Sequence, residues 1–79
     1  MSILWPDQLR AAKALLNLSN PDVEKITGLS RNTINNVENG KSSSRSTLMT
    51  LRKTFEELGV EFIEQNGGGP GVRLRDRQE

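Results

Sequence analysis

The sequence predicts a mainly α fold, in which a bundle of four helices is followed by a C-terminal β-hairpin. Two observations support this class. Apolar residues recur at helical spacing in four short segments before residue 59. The period then changes to an alternation on both sides of the segment NGGGPG, which is typical of a hairpin. We therefore expect a helical domain over residues 1–59, a hairpin over 60–75 and a frayed tail over 76–79.

Two prolines mark the beginnings of the first two helices. Pro6 suits the first turn of a helix, and we expect the first helix to run from about residue 6 to residue 17. Asn20, which precedes Pro21, is expected to cap the beginning of the second helix, and Ser19 is the competing cap. Gly28 ends it, because glycine easily adopts a left-handed backbone. The inward-facing apolar residues of this region are expected to be Leu9, Ala12, Leu16, Val23, Ile26 and Leu29.

The third helix is predicted to be polar around most of its circumference. Ser30 caps it, Gly40 closes it, and its only apolar positions are Ile34 and Val37. A helix kept for stability alone normally has a wider apolar stripe, so the polar surplus indicates a face reserved for a polar ligand. Donors and acceptors of the kind that read base edges in the DNA major groove occur on this face: Arg31, Asn32, Thr33, Asn35 and Asn36.

The loop KSSSRS and a fourth helix follow. Either Ser44 or Ser46 caps this helix, and Gly59 ends it. Its apolar positions are expected to be Leu48, Leu51, Phe55 and Leu58. The hairpin strands VEFIE and VRLR come next. An isolated hairpin is marginal in water, so it must lie on the helical core or pair with a second copy of the chain. The predicted dimerisation residues are Val60, Phe62, Ile63, Val72 and Leu74.

Composition excludes most enzyme and metal chemistry. The 79 residues contain no cysteine and no histidine, which removes thiolate and imidazole ligands, the cysteine nucleophile and the commonest general base. We expect no catalytic residues, no metal and no cofactor. No apolar run approaches the length of a membrane span, and the start MSILWPD lacks the features of a signal peptide. The expectation is a cytoplasmic protein that does not enter a membrane.

Charge is segregated along the chain although the formal net charge is only +1. Residues 31–53 hold five basic residues and one acidic residue, whereas residues 54–66 hold four glutamates and no basic residue. Nucleic-acid binders often separate charge in this way. The alternative is that both segments are simply solvated faces.

The segment GLSRNTINNVENGK resembles the phage-repressor-like (Cro-type, xenobiotic-response-element) helix-turn-helix family, which implies a lambda-repressor-like bundle from a phage or mobile element. The hairpin is similar to the tail of its short members. The resemblance places the third helix in the major groove and the second across the DNA backbone. In that arrangement Arg31 donates two hydrogen bonds to guanine, while Asn32 and Asn36 pair with adenine. Thr33 contacts a phosphate or a thymine methyl group, and Asn35 is either a further base-reading residue or a solvated one.

Phosphate contacts are expected from the start of the second helix and from the loop after the third: Asn20, Ser30, Lys41, Ser43 and Arg45. The alternative for Asn20 and Ser30 is a capping role alone, and the two roles can coexist. Lys13 and Glu38 occupy positions that resemble an internal ion pair of the family. Glu24 stands where the family prefers alanine, so its carboxylate must bend outward or find a donor.

These expectations together predict that the protein is a transcriptional regulator. It is expected to be a repressor or self-regulator that binds an inverted repeat of double-stranded DNA as a homodimer. A rival interpretation is an antitoxin that represses its own operon and neutralises a toxin partner. A third is a protein-interaction module in which the asparagine-rich helix contacts another protein. Salt dependence separates DNA binding from the last alternative.

Overall fold

The computed structural model of the chain describes residues 3–65 and 67–75. The predicted tail over 76–79 lies outside them. Four helices precede a two-stranded antiparallel hairpin: α1 (Pro6–Leu16), α2 (Asn20–Thr27), α3 (Arg31–Glu38), α4 (Arg45–Glu57), β1 (Val60–Ile63) and β2 (Gly71–Leu74). The predicted fold class is confirmed. In the described part of the chain, no helix is long and apolar enough to cross a bilayer.

Serine hydroxyl groups begin three of the helices. Ser30 and Ser44 each accept a hydrogen bond from the backbone N–H three residues later, so Ser44 is the cap of α4. At α2 the cap is Ser19, because Asp22 reciprocates by accepting from the Ser19 N–H at 2.9 Å. That hydrogen bond also lowers the pKa of the Asp22 carboxyl. The predicted cap Asn20 is instead the first residue of the helix.

The core lies between the helices and the inner face of the hairpin. The side chains of Ile34 and Val37 dock α3 onto it. Two predicted inward residues are wrong: Ile26 and Leu58 are exposed, because the buried side of α2 is centred on Val23 and α4 has ended before Leu58. The buried apolar residues of the described chain are Leu4, Leu9, Ala12, Val23, Ile34, Val37, Leu51, Phe55, Val60 and Phe62.

The hairpin packs on the helices of its own chain. Val60 pairs with Leu74 and Phe62 with Val72, so these four side chains share one face. Gln8 of α1, which is 3% exposed, donates hydrogen bonds to the carbonyl oxygens of two hairpin residues, at 3.2 Å to Ile63 and 3.0 Å to Gly71. This anchor was not predicted from the sequence.

The packing of the hairpin on its own helices bears on the predicted dimerisation residues. Val60 and Phe62 are buried inside the protomer and are therefore not available to a partner, which corrects their assignment to dimerisation. Val72 and Leu74 are half-buried against the same core. Ile63 remains the exposed member of the predicted set.

Candidate nucleic-acid interface

Helix α3 presents its polar residues on the face opposite to its buried side. Ile34 and Val37 lie in the core, while Arg31, Asn32 and Asn35 are exposed. Thr33 and Asn36 are half-buried beside them. The helix is short, and Gly28 at φ 78° turns the chain between α2 and α3. All five predicted base-reading residues are therefore at or near one surface.

The five side chains differ in how they are already engaged. Those of Asn32 and Asn36 make no hydrogen bond within residues 3–65 and 67–75, so both amides retain their donors and acceptors. Thr33 shares a hydrogen bond of 2.9 Å with the hydroxyl group of Ser30. A bidentate contact to a base needs a free donor and a free acceptor, which the two asparagines provide.

Arg31 forms an ion pair across the turn. Its Nε lies 2.7 Å from Oε1 of Glu24 in α2. The donor that the Glu24 carboxylate was expected to need is thus the same arginine that was predicted to read guanine. Both side chains remain partly exposed, at 60% for Arg31 and 31% for Glu24.

A second polar network connects α1, α2 and α3 beneath this surface. Lys13 pairs with Glu38, as the sequence resemblance implied, and each side chain is 15% exposed. The side-chain amide of Asn20 donates to Glu38 at 2.9 Å and to Asn35 at 2.8 Å, and its carbonyl oxygen accepts from Lys13. The amide of Asn20 is thus engaged internally. In the first turn of α2 the N–H groups of Asp22 and Val23 bond to Ser19 and Pro21 has no N–H, so the backbone N–H of Asn20 is the donor left at this end.

The Glu38 carboxylate is ionised more readily than an ordinary glutamate. Burial by itself raises its pKa, but hydrogen bonds from Lys13 and Asn20 and the charge of Lys13 lower the pKa by more. The net pKa lies below the ordinary value of 4.5. Glu38 is therefore a structural anion that holds the network together.

The loop between α3 and α4, together with the first residue of α4, carries hydroxyl groups and cations that are unpaired among the described residues. Lys41 and Arg45 are exposed and form no ion pair with any described residue, and Ser43 is half-buried. The hydroxyl of Ser30 is used as the cap of α3. A shallow polar depression separates α3 from the beginning of α4, and its lining residues are Thr33, Asn36, Ser42, Ser43, Ser44 and Thr47. Ser42 was not among the predicted residues, although its place in the serine run indicated it.

One cation of the basic segment belongs to the scaffold instead. Arg52 donates to the carbonyl oxygen of Ile3 at 2.9 Å, pairs with Glu56 at 3.2 Å and with Glu64 at 3.4 Å, and lies 5.3 Å from the centre of the Phe62 ring. The cations of the basic segment that form no ion pair with a described residue are Lys41, Arg45 and Lys53, whereas Arg31 is paired with Glu24.

The comparisons with known proteins agree with this geometry. A helix-turn-helix family model matches residues 9–65, which cover α1 from its fourth residue onward, the other three helices and β1. The curated proteins give no significant match. The matched family is one of DNA-binding regulatory domains and not of enzymes. The chain belongs to the helix-turn-helix family, and it is a DNA-binding regulator of transcription.

Proposed function

We propose that this protein binds an inverted-repeat operator as a homodimer, with α3 in the major groove, and represses transcription, including that of its own gene. The observation that carries the proposal is that the side chains of Asn32 and Asn36 lie at the α3 surface and make no hydrogen bond to any residue that the structure describes. Both amides are ready to pair with adenine N6 and N7. Arg31 keeps its two Nη groups for guanine O6 and N7.

The loop between α3 and α4 and the first turn of α4 supply the groups that bind DNA phosphates. Lys41 and Arg45 supply positive charge, Ser42 and Ser43 supply hydroxyl groups, and the first turn of α4 supplies free backbone N–H groups. Such contacts fix the position of α3 on the duplex without reading sequence. Each good bidentate base contact then contributes about 1–3 kcal/mol of discrimination.

The homodimer is supported by the small size of the core and by the exposed apolar side chains Trp5 and Ile63. Two copies related by a two-fold axis would place their α3 helices about 34 Å apart, one turn of DNA. A dimer occupying a promoter blocks it by its presence alone. A monomeric mass in light scattering at micromolar concentration would contradict this part of the proposal.

The antitoxin alternative requires a protein-binding surface besides α3. The exposed apolar side chains of Leu58 and Ile63 favour it, because they lie outside the candidate DNA interface. A neighbouring gene that encodes a toxin inhibited by this protein would support this alternative over a simple repressor.

Salt titration tests DNA binding directly. Binding through several phosphates weakens linearly on a log–log plot of affinity against salt concentration. Lys41→Ala should reduce affinity for all duplexes alike and flatten the slope by about 0.9. Arg73→Ala is the matched control, since it removes the same charge from the hairpin, where Arg73 pairs with Glu61. Unchanged affinity between low and physiological salt would contradict the proposal.

A further inference from the structure

The ion pair between Glu24 and Arg31 lies within the candidate DNA interface. Glu24 belongs to the middle of α2, and Arg31 is the first residue of α3. The pair spans the turn at Gly28 and joins α2 to the beginning of α3, next to Asn32. It is the one ion pair of the described chain that engages a predicted base-reading residue.

The atoms involved leave the reading end of the arginine open. A guanidinium group has five N–H donors in one plane, and Glu24 takes the donor on Nε at 2.7 Å. The four donors on the two Nη atoms remain, and guanine offers two acceptors, O6 and N7. A carboxylate held at Nε therefore fixes the plane of the guanidinium without competing for the base.

The carboxylate also changes how Arg31 responds to the DNA backbone. An unpaired arginine on a helix beside DNA is attracted to phosphates of any sequence. Glu24 neutralises this charge locally and itself repels phosphates. The same pair thus restrains Arg31 from contacts that carry no sequence information and presents it for contacts that do.

We propose that Glu24 is a positioning residue that sets sequence specificity by holding Arg31 for a guanine contact. The inference rests on the proposed function, in which Arg31 reads a base. A purely structural role is a poor account of the pair, because ion pairs between partly exposed side chains contribute little to stability.

A double-mutant cycle tests this role, with operator duplexes changed one base pair at a time. Glu24→Ala should reduce discrimination at the position read by Arg31 by roughly 2- to 12-fold, the range for ordering one flexible side chain at an interface. It should also steepen the salt slope on non-specific DNA by about 0.9, because the released Arg31 contacts a phosphate. Glu24→Gln keeps an acceptor but not the charge and should lie between wild type and Glu24→Ala.

Two controls separate positioning from general effects. Glu57→Gln removes a carboxylate from the exposed last turn of α4 and should leave discrimination unchanged. In the Arg31→Ala background, Glu24→Ala should have no effect on discrimination. Glu24 is partly exposed and alanine is the most favourable residue within a helix, so Glu24→Ala is expected to fold, and thermal unfolding checks this.

The possible results divide cleanly. A loss of discrimination that requires Arg31 supports the proposal. If Glu24→Ala reduces discrimination equally in the wild-type and Arg31→Ala backgrounds, or does not reduce it at all, the positioning role of Glu24 is overturned. The base-reading role of Arg31 is then left intact. If Arg31→Ala alone changes the preference at no position, the base-reading role itself fails, and the inference about Glu24 fails with it.

Discussion

Replacement of Glu38 by glutamine tests the network that holds α1, α2 and α3 together. In the wild-type protein the carboxylate accepts from Lys13 and, at 2.9 Å, from Asn20. Glutamine is nearly the same size and keeps one oxygen, so the change removes charge with little change in packing. Its remaining oxygen can still accept from Asn20, but its NH₂ group then faces the Lys13 ammonium ion.

The size of the effect follows from the burial of the pair. A charge-assisted hydrogen bond contributes about 1.5–3 kcal/mol, and removing one member of a fully buried pair costs about 3–5 kcal/mol. Because 15% of each side chain still reaches solvent, we expect Glu38→Gln to lower the free energy of unfolding by about 2–3 kcal/mol. For a domain of this size that corresponds to a fall in Tm of roughly 10–20 °C.

Urea denaturation at a series of pH values measures both the size and the origin of this loss. Folding lowers the pKa of Glu38, so its stabilising contribution is complete above the ordinary value of 4.5 and is lost as the pH falls through the lower, folded-state value. The difference between wild type and Glu38→Gln should therefore shrink below about pH 4.5.

Glu61→Gln is the matched control. Glu61 pairs with Arg73 at 2.6 Å on the exposed face of the hairpin, where such a pair contributes less than about 1 kcal/mol. If Glu38→Gln and Glu61→Gln lowered the free energy of unfolding equally, the argument that burial strengthens the Lys13–Glu38 pair would be refuted. A loss for Glu38→Gln that stays constant from neutral pH to about pH 3 would refute it as well.

Two further predictions concern the turn and the hairpin anchor. Gly28→Ala should lower the free energy of unfolding by about 1–2 kcal/mol in urea denaturation, because φ is 78° at this position. The cause is conformational and not steric, since no atom lies within 4 Å of an added Cβ. Gly28→Asn should lower the free energy of unfolding by less, and equal decreases for the two variants would contradict a purely conformational cause. Gln8→Leu should remove the side-chain hydrogen bonds to the carbonyl oxygens of Ile63 and Gly71, lower the free energy of unfolding by about 1–3 kcal/mol and speed hydrogen exchange of the hairpin amides. Unchanged exchange at these amides would contradict the anchoring role.

The sequence predicted the element order because its local determinants agree with the final packing. Prolines, serine caps and left-handed glycines mark the ends of helices through bonds made within a few residues. Where the prediction of a cap or of a buried residue was wrong, the cause was also an interaction or a property within a few residues in the sequence. Ser19 replaced Asn20 as the cap because the Asp22 carboxylate reciprocates, and Ile26 is exposed because so short a helix buries only a narrow side.

The candidate DNA interface was less predictable than the fold, because contacts between helices decide which of its side chains are already hydrogen-bonded. Sequence periodicity identifies the polar face of α3, but it does not say which side chains on that face are already bonded. The engagement of Asn20 with Asn35 and of Arg31 with Glu24 depends on how α2 and α3 approach each other through the turn. Gln8 was missed for the same reason, since its partners are 55 and 63 residues away in the chain.

The most direct test of the central claim, that α3 reads DNA bases, is selection of bound sites from random duplex DNA. The wild-type protein should enrich an inverted repeat whose half-sites are centred about 34 Å apart. Arg31→Ala and Asn36→Ala should each lose the preference at one position of each half-site, and the two positions should differ. Failure of the wild-type protein to enrich any sequence, or variants that keep the wild-type motif unchanged, would contradict the claim.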